Sequence, residues 1–512
     1  METIIMRKSK VFNCFMRKIK RFLRIDLSHS NLSFLSVLSE YSLESELLIC
    51  QKLSKLIMDY SEVSLSKAYN INIMPWELEM VSAYSVYYYN PSSTKCIDSD
   101  TFSYIVTKLR NYWDSNLITA YNQGLFGDSF LMISYQQQVL TQGIFLQKLF
   151  RYHYFFYFKN SKIDMNELFK NEIGIQYQQF EIFAFILFVC FADEKTENVN
   201  ILKKLFINES EIIETLSIDV DKYKEKLSEI NVNNVAELYY GFKLQYIYPF
   251  ICTKEFKYIP CPFLIINAVT ESMLNRLTYG NNKLRKAFGK NVLERYLFDI
   301  LSQLSSVTWI SGEISYRIRH SNLLSSDVIA AEGANVCFYD TKSLSPSLKI
   351  RKFDQKEIEK NIDLYADGIY QIYKQIKNYR KGFFSLDKKY EDENVYGILV
   401  VLEESGIPRE KVYLKVKSII IDKEKEDNDP KRTMDYIHSH IKVISLKQVE
   451  NFALNNFSLL HQLIAQKDTP QKWNNFSYSF DNIPTDSIPM YKEYVDNIKS
   501  SVTAYLDNSS KN

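Results

Sequence analysis

Two short apolar runs, Val-Ile-Ala-Ala at 328–331 and Val-Cys-Phe-Tyr at 336–339, constrain this chain more than any other segment. The turn residues Glu332, Gly333, Ala334 and Asn335 between them join the two runs as a hairpin. Charged residues mark its open end: Asp327 begins the first run, Asp340 closes the second, and Lys342 follows two residues later. Residues i and i+2 of a strand point to the same side, so Asp340 and Lys342 project together from the end of a buried strand. Two carboxylates and one ammonium on adjacent strand ends suit a divalent metal and a water nucleophile, which is a phosphodiesterase site in outline.

The flanking segments fill out a sheet. Upstream, 287–301 opens with a turn at Gly289 and continues as an amphipathic helix, with Glu294 beside the stripe of Val292, Tyr296 and Ile300. Residues 313–319 alternate as a strand. Downstream, 354–379 reads as a long helix on which Gln371 and Gln375 lie one turn apart. Strands are then expected at 395–403, 412–421 and 441–445, with a charged loop at 422–431. The order helix, three strands, helix, strands predicts an α+β arrangement, a mixed sheet flanked by helices.

Only 13 glycines and 11 prolines in 512 residues leave few tight turns, so the rest is expected to be largely helical. Residues 31–245 form a helical domain, with helices at 43–60, 76–89, 101–120, 143–158, 177–192 and 219–229, and breaks at 90–93, 193–199 and 231–234. Residues 246–279 read as a β-hairpin leading into a helix at 263–277, residues 280–450 carry the chemistry, and 451–512 form closing helices with a disordered polar tail. The aromatic run 150–158 has the rings for a single-strand stacking platform, but its nearly unbroken apolarity assigns it to the core.

The longest apolar stretch, 182–192, has eleven residues where a bilayer span needs about 20, so it is expected to be a buried helix and no transmembrane segment is predicted. Residues 1–30 carry eight basic side chains against two acidic ones and form a basic amphipathic helix, suited to solvent, to a nucleic-acid backbone or to a membrane surface. The seven cysteines are scattered and none falls in a CxxC pair, which points to reduced thiols in a cytoplasmic protein. His438 and His440 would be a zinc-type pair if they lay on a strand, yet no neighbouring ligand completes the set, and no zinc is assigned. The net charge of +2 calls for no highly charged partner.

Glu294 on a helix, Asp327 opening a strand, Asp340-Thr341-Lys342 ending the next and a glutamine on the following helix resemble the PD-(D/E)XK, or restriction-endonuclease-like, superfamily. An acid-x-lysine triplet alone is weak, since Glu255-Phe256-Lys257 has one too. The resemblance rests on the combination and spans about a third of the chain. It departs from the family pattern in carrying Ser326 where a proline often precedes the first aspartate. The resemblance implies that Asp327, Asp340 and Glu294 hold magnesium, with manganese as the alternative, and that Lys342 orients the water. Gln371, with Gln375 as its understudy, would support the site, while Lys349, Arg351, Lys352 and Lys374 would grip flanking phosphates.

The function implied is metal-dependent hydrolysis of nucleic acid, DNA above RNA, and the helical region with a nuclease module behind it also resembles bacterial anti-phage defence effectors, which implies a part in that defence. The helical domain would take a phage trigger or a partner subunit, and a homo-oligomer would serve to cut both strands. Two other classes stay open: a binding or scaffolding protein with a silent nuclease fold, and a membrane-associated effector acting through residues 1–30.

Overall fold

The computed structural model describes residues 32–60, 62–122, 144–193, 196–228, 244–346, 350, 355–403, 406–407, 409–424, 429–465 and 487–511. The basic segment 1–30, the triplet Lys349, Arg351 and Lys352, and the break expected at 231–234 lie outside these residues.

Helices form the first part of the chain for legible reasons. Ser42 caps Leu43–Leu56 by accepting from Ser45 N, Pro75 opens Pro75–Tyr88, and Asp164 caps Met165–Ile173 before Gly174 ends it at φ +85°. Tyr177–Ala192 is apolar on nearly every side and is correspondingly buried. No single helix among the described residues is long and apolar enough to cross a membrane. The pair Met165–Ile173 and Tyr177–Ala192 passes that test together, but it is bent by 76°, and the second helix is core. The aromatic run is core as well: Phe150, Tyr152, Phe155 and Phe156 of the helix Phe145–Tyr157 are buried.

The five-stranded sheet runs in the order Ile441–Ser445, Val395–Val401, Asn335–Lys342, Val328–Glu332, Trp309–Gly312. The first two pairings are parallel and the last two antiparallel, so the sheet is mixed. Every residue of Val395–Val401 is buried, the pattern of a strand covered on both faces. The helix Gln355–Arg380 packs on one face at very close range. A methyl group added at Gly397 would overlap Ile372 Cγ2, and one at Gly368 would come within 2.9 Å of Leu399. Glycines on both partners therefore set the helix-to-strand distance. Gly397→Ala is expected to cost about 1–3 kcal/mol through overpacking. An unchanged urea midpoint would disprove this role.

The helix Phe145–Tyr157 joins the sheet region to the helical layer. Arg151 is buried and donates from Nε to Glu450 Oε1 at 2.7 Å, from Nη2 to Glu450 Oε2 at 2.6 Å and from Nη1 to Glu403 Oε1 at 3.1 Å. Tyr296 donates to the same Glu450 Oε1 at 2.7 Å, and Tyr154 donates to Asp299 at 2.7 Å. The rings of Phe150 and Phe155 lie 6.0 and 5.2 Å from that of Tyr296. One hydrophobic cluster runs through all of these elements.

Several expectations need correction. Residues 412–421 are not a strand but the middle of the helix Arg409–Lys423, which buries Val412, Val416, Ile419 and Ile420. A further helix, Pro430–His440, is capped by Asp429 and carries the pair His438 and His440, so these do not share a strand face. Gly289 is not a turn: it is helical (φ −53°, ψ −53°) and begins a π-helical turn, Gly289–Leu293, inside an otherwise continuous helix. The helix expected at 263–277 breaks at Thr270, and a helix begins at Thr196 inside the break expected at 193–199. The expected hairpin near 250 is present and gains a third, parallel strand, Ser217–Asp219. The polar tail is not disordered: the helix Pro489–Lys511 runs through it.

Candidate active site

Strand register explains why three acids meet. Gly312 pairs with Val328, and Val328 pairs with Tyr339. One residue beyond each of these partners along the chain come Glu313, Asp327 and Asp340, at the same end of the three neighbouring strands. The helix following the π-turn adds Glu294 from the side. Oxygens of Glu294, Glu313 and Asp327 lie within 4.8 Å of one another. Asp340 sits one layer deeper, 1 % exposed, with Oδ1 accepting from Asp327 N at 3.3 Å. Its Oδ2 is buried and has no hydrogen-bond partner among the described residues.

The supporting contacts are specific. Asp327 Oδ2 accepts from Thr341 N at 2.7 Å and from Thr341 Oγ1 at 3.0 Å, which fixes the carboxylate in the row. Lys342 Nζ donates to Gln371 Oε1 at 3.3 Å. Gln375 accepts from the buried Ser326 Oγ at 2.5 Å. Ser326, standing where the resembled family often has proline, thus ties the start of the Asp327 strand to the long helix. Both glutamines bond to residues beside the acids, Gln371 to the lysine and Gln375 to the start of the strand. Lys374 is exposed on the same helix.

The electrostatics are those of a carboxylate cluster short of positive charge. Burial first, and then Asp327 beside it, raises the Glu294 carboxyl to about 8. Burial and then Asp327 push Asp340 up to about 7. Burial also raises Asp327, against the opposing hydrogen bonds from Thr341 and the nearby Lys342. Besides Lys342, a second basic group stands against the row: Lys290 donates to Glu313 Oε2 at 3.2 Å. Burial would lower its pKa, but Glu313, Glu294 and Asp327 outweigh that and raise it.

The donor set fits a hard divalent cation. Magnesium and manganese take carboxylate oxygens, and an orphaned buried Asp340 Oδ2 beside three close carboxylates offers unused acceptor capacity. Glu294, Glu313 and Asp327 would hold the ion, with Asp340 behind them. Sequence reasoning names Glu294, Asp327, Asp340, Lys342 and the glutamines, and all of them converge here. It misses Glu313, because the alternation of 313–319 reads as one strand. In fact the chain leaves the sheet at Gly312 and enters a separate hairpin, Ser315–Ile318 with Ser321–Leu324. The place of Glu313 one residue beyond an edge strand was the signal.

A pH dependence follows. Carboxyls whose folded pKa is raised keep protons that the unfolded chain has already lost. The metal-free protein therefore loses stability as pH rises from about 4.5, the ordinary value for Glu294, through its folded value of about 8. Thermal midpoints of wild type and Glu294→Gln in EDTA should diverge over that window, with the variant the more stable at high pH. Magnesium or manganese should close the gap by raising the wild-type midpoint, by about 2.7 kcal/mol of stability at a hundredfold excess over Kd. Parallel pH curves with no metal response would rule out a cation site.

No family model, curated protein or solved structure matches this chain.

Proposed function

We propose that the protein is a metal-dependent nuclease of the PD-(D/E)XK type that hydrolyses phosphodiester bonds, with DNA as the favoured substrate and magnesium, or manganese, as the cofactor. The observation that carries this reading is the cluster of Glu294, Glu313 and Asp327 at the end of the central strands, with an unsatisfied Asp340 oxygen behind it and Lys342 at its edge. The mixed sheet, flanked by the Glu294 helix and the glutamine-bearing helix, is the arrangement the resemblance implies.

Each residue then has a part in the chemistry. A bound divalent cation supplies the neutralisation that charge build-up on a phosphoryl group requires. Thr341 holds Asp327 in a fixed direction, so that no rotamer search accompanies the reaction. Lys342, steered by Gln371, places an ammonium at the rim, where it orients an attacking water and faces the anionic substrate. Burial of Asp340 keeps water from satisfying it, which reserves its free oxygen for a cation.

A second reading has its own observation. Lys290 already sits against Glu313 and raises the positive charge within the row. A lysine that substitutes for a metal would leave a nucleic-acid-binding protein with a silent site.

One experiment separates the two. Plasmid, linear duplex and structured RNA are incubated with wild type and Lys342→Ala, in magnesium, in manganese and in EDTA. Nuclease activity predicts cleavage only with metal and a loss of about a hundredfold in Lys342→Ala, which is about 2.7 kcal/mol of barrier. Metal-independent cleavage, or equal rates for both proteins, would discard the assignment. Binding without cleavage in any metal would favour the silent site.

A further inference from the structure

The hairpin inserted between the edge strand and the Asp327 strand has no place in the sheet. Ser315–Ile318 pairs with Ser321–Leu324 alone, with Arg317 directly opposite Asn322. Its two faces differ. On the inner face Tyr316 is buried, stacks near Phe384 at 4.7 Å between ring centres and accepts from Asn378 Nδ2 at 2.9 Å. On the outer face Ser315, Arg317, Asn322 and Leu324 are exposed, and so are Arg319 and His320 at the tip. Between Ile314 and Ser325 there are two arginines and no acid, immediately next to four carboxylates. The root of the hairpin is rigid: Ile314 N donates to Ser325 Oγ at 2.7 Å, and Ser325 N donates to Ile314 O at 2.9 Å.

Arg319 has φ +53°, the left-handed region that glycine or asparagine occupies at lower cost. The loop between Ile318 and Ser321 has two residues, and a two-residue hairpin turn takes φ > 0 at its first central position, so the turn geometry places Arg319 there with its side chain at the exposed tip.

We propose that this hairpin is an arm that reads the major groove of B-form duplex DNA beside the cleavage site. The proposal rests on the nuclease reading for the identity of the substrate. A groove about 12 Å wide admits a two-stranded ribbon, whereas the major groove of A-form RNA is too narrow for side chains to read. Arginine and asparagine are the side chains that pair bidentately with guanine and adenine edges there. The arm is anchored to the acid row through Glu313. Four residues of extended chain place Arg317 at most about 13 Å from Glu313. With about 3.4 Å per nucleotide along a strand, the bases read by Arg317 lie within a few pairs of the scissile bond.

The test measures binding apart from cutting. Full-length Asp340→Asn protein is titrated into labelled duplex DNA, duplex RNA of the same sequence and single-stranded DNA, across a range of salt. Arg317→Ala and Arg319→Gly are then added one at a time. Duplex DNA should bind tightest, and each change should weaken it by about ten- to a hundredfold. The Arg319→Gly protein should melt no lower than its parent, because glycine relieves the backbone. With Asp340 restored, Arg317→Ala should relax base preference within a few pairs of the cut. Unchanged Kd in both variants, while wild type still cleaves DNA, would overturn the arm and leave the nuclease reading intact. Duplex RNA bound as tightly as duplex DNA would also overturn it. Failure of the parent to bind any nucleic acid would remove both.

Discussion

Asp340→Asn is expected to lose at least about a hundredfold in cleavage rate while melting higher than wild type in EDTA at pH 8. The two effects have one origin. Asp340 is 1 % exposed and its Oδ2 makes no hydrogen bond among the described residues, so as a carboxylate it is a buried charge that Asp327 N and Lys342 offset only in part, with its carboxyl pushed up to about 7 by burial and by Asp327. Asparagine keeps an oxygen able to accept from Asp327 N but cannot carry the negative charge a divalent cation requires. The folded state gains from losing that charge, and the reaction loses about 2.7 kcal/mol for each hundredfold. The magnesium-induced rise in melting temperature should shrink in parallel. A variant that melts lower than wild type and still responds fully to magnesium would assign Asp340 to structure alone.

Arg151→Ala is expected to be the most destabilising single change in the molecule outside the apolar core, at about 3–5 kcal/mol. Removing the guanidinium strands Glu450, which is fully buried, and deprives Glu403 of its partner, a group whose pKa burial already raises. Gln147 Nε2 at 3.3 Å and Tyr296 Oη at 2.7 Å remain to Glu450 but bring no full positive charge. The pair Arg151→Met with Glu450→Leu should recover only part of the loss, since it removes the stranded Glu450 but leaves Glu403 without the guanidinium. Urea unfolding of the two singles and the double gives the coupling directly. A single-variant cost below about 1 kcal/mol would show that water reaches the cluster. Tyr296 lies two residues from Glu294 on one helix, so the same variant also tests whether the helical layer holds that acid in place.

Much of the site was legible because it is built from short-range signals. The hairpin of Val328–Glu332 and Asn335–Lys342 announces itself by two apolar runs and a glycine turn, and acids at its open end follow from period two. Gln371 and Gln375 were visible as one helical stripe, but their separate duties, one to Lys342 and one to Ser326, depend on the angle at which the helix crosses the sheet. Residues 412–421 misled through composition. Valine and isoleucine suggested a strand, while the buried positions 412, 416, 419 and 420 fall at helical spacing. There, period was the better guide than β-propensity. Asp429 followed by Pro430 was a plain helix start that the charged surroundings obscured. The π-turn at Gly289–Leu293 left no such trace. A glycine in a helical run costs stability and reads as a break. Only Ser343 Oγ, 3.2 Å from where a methyl would sit, shows why glycine is kept.

The contacts of the acid row and those of Arg151 also differ in how far apart along the chain their partners lie. Asp327 meets Thr341 across 14 residues, whereas Arg151 meets Glu450 across 299. By loop-closure entropy the second costs about 2.7 kcal/mol more to bring together. During synthesis at about 5–20 residues per second, the guanidinium waits on the order of 15–60 s for its carboxylate to be made. The acid-bearing end of the sheet is therefore placed to form while the helical layer is still an incomplete assembly holding an unneutralised arginine, and the emergence of Glu450 is what allows that layer to close.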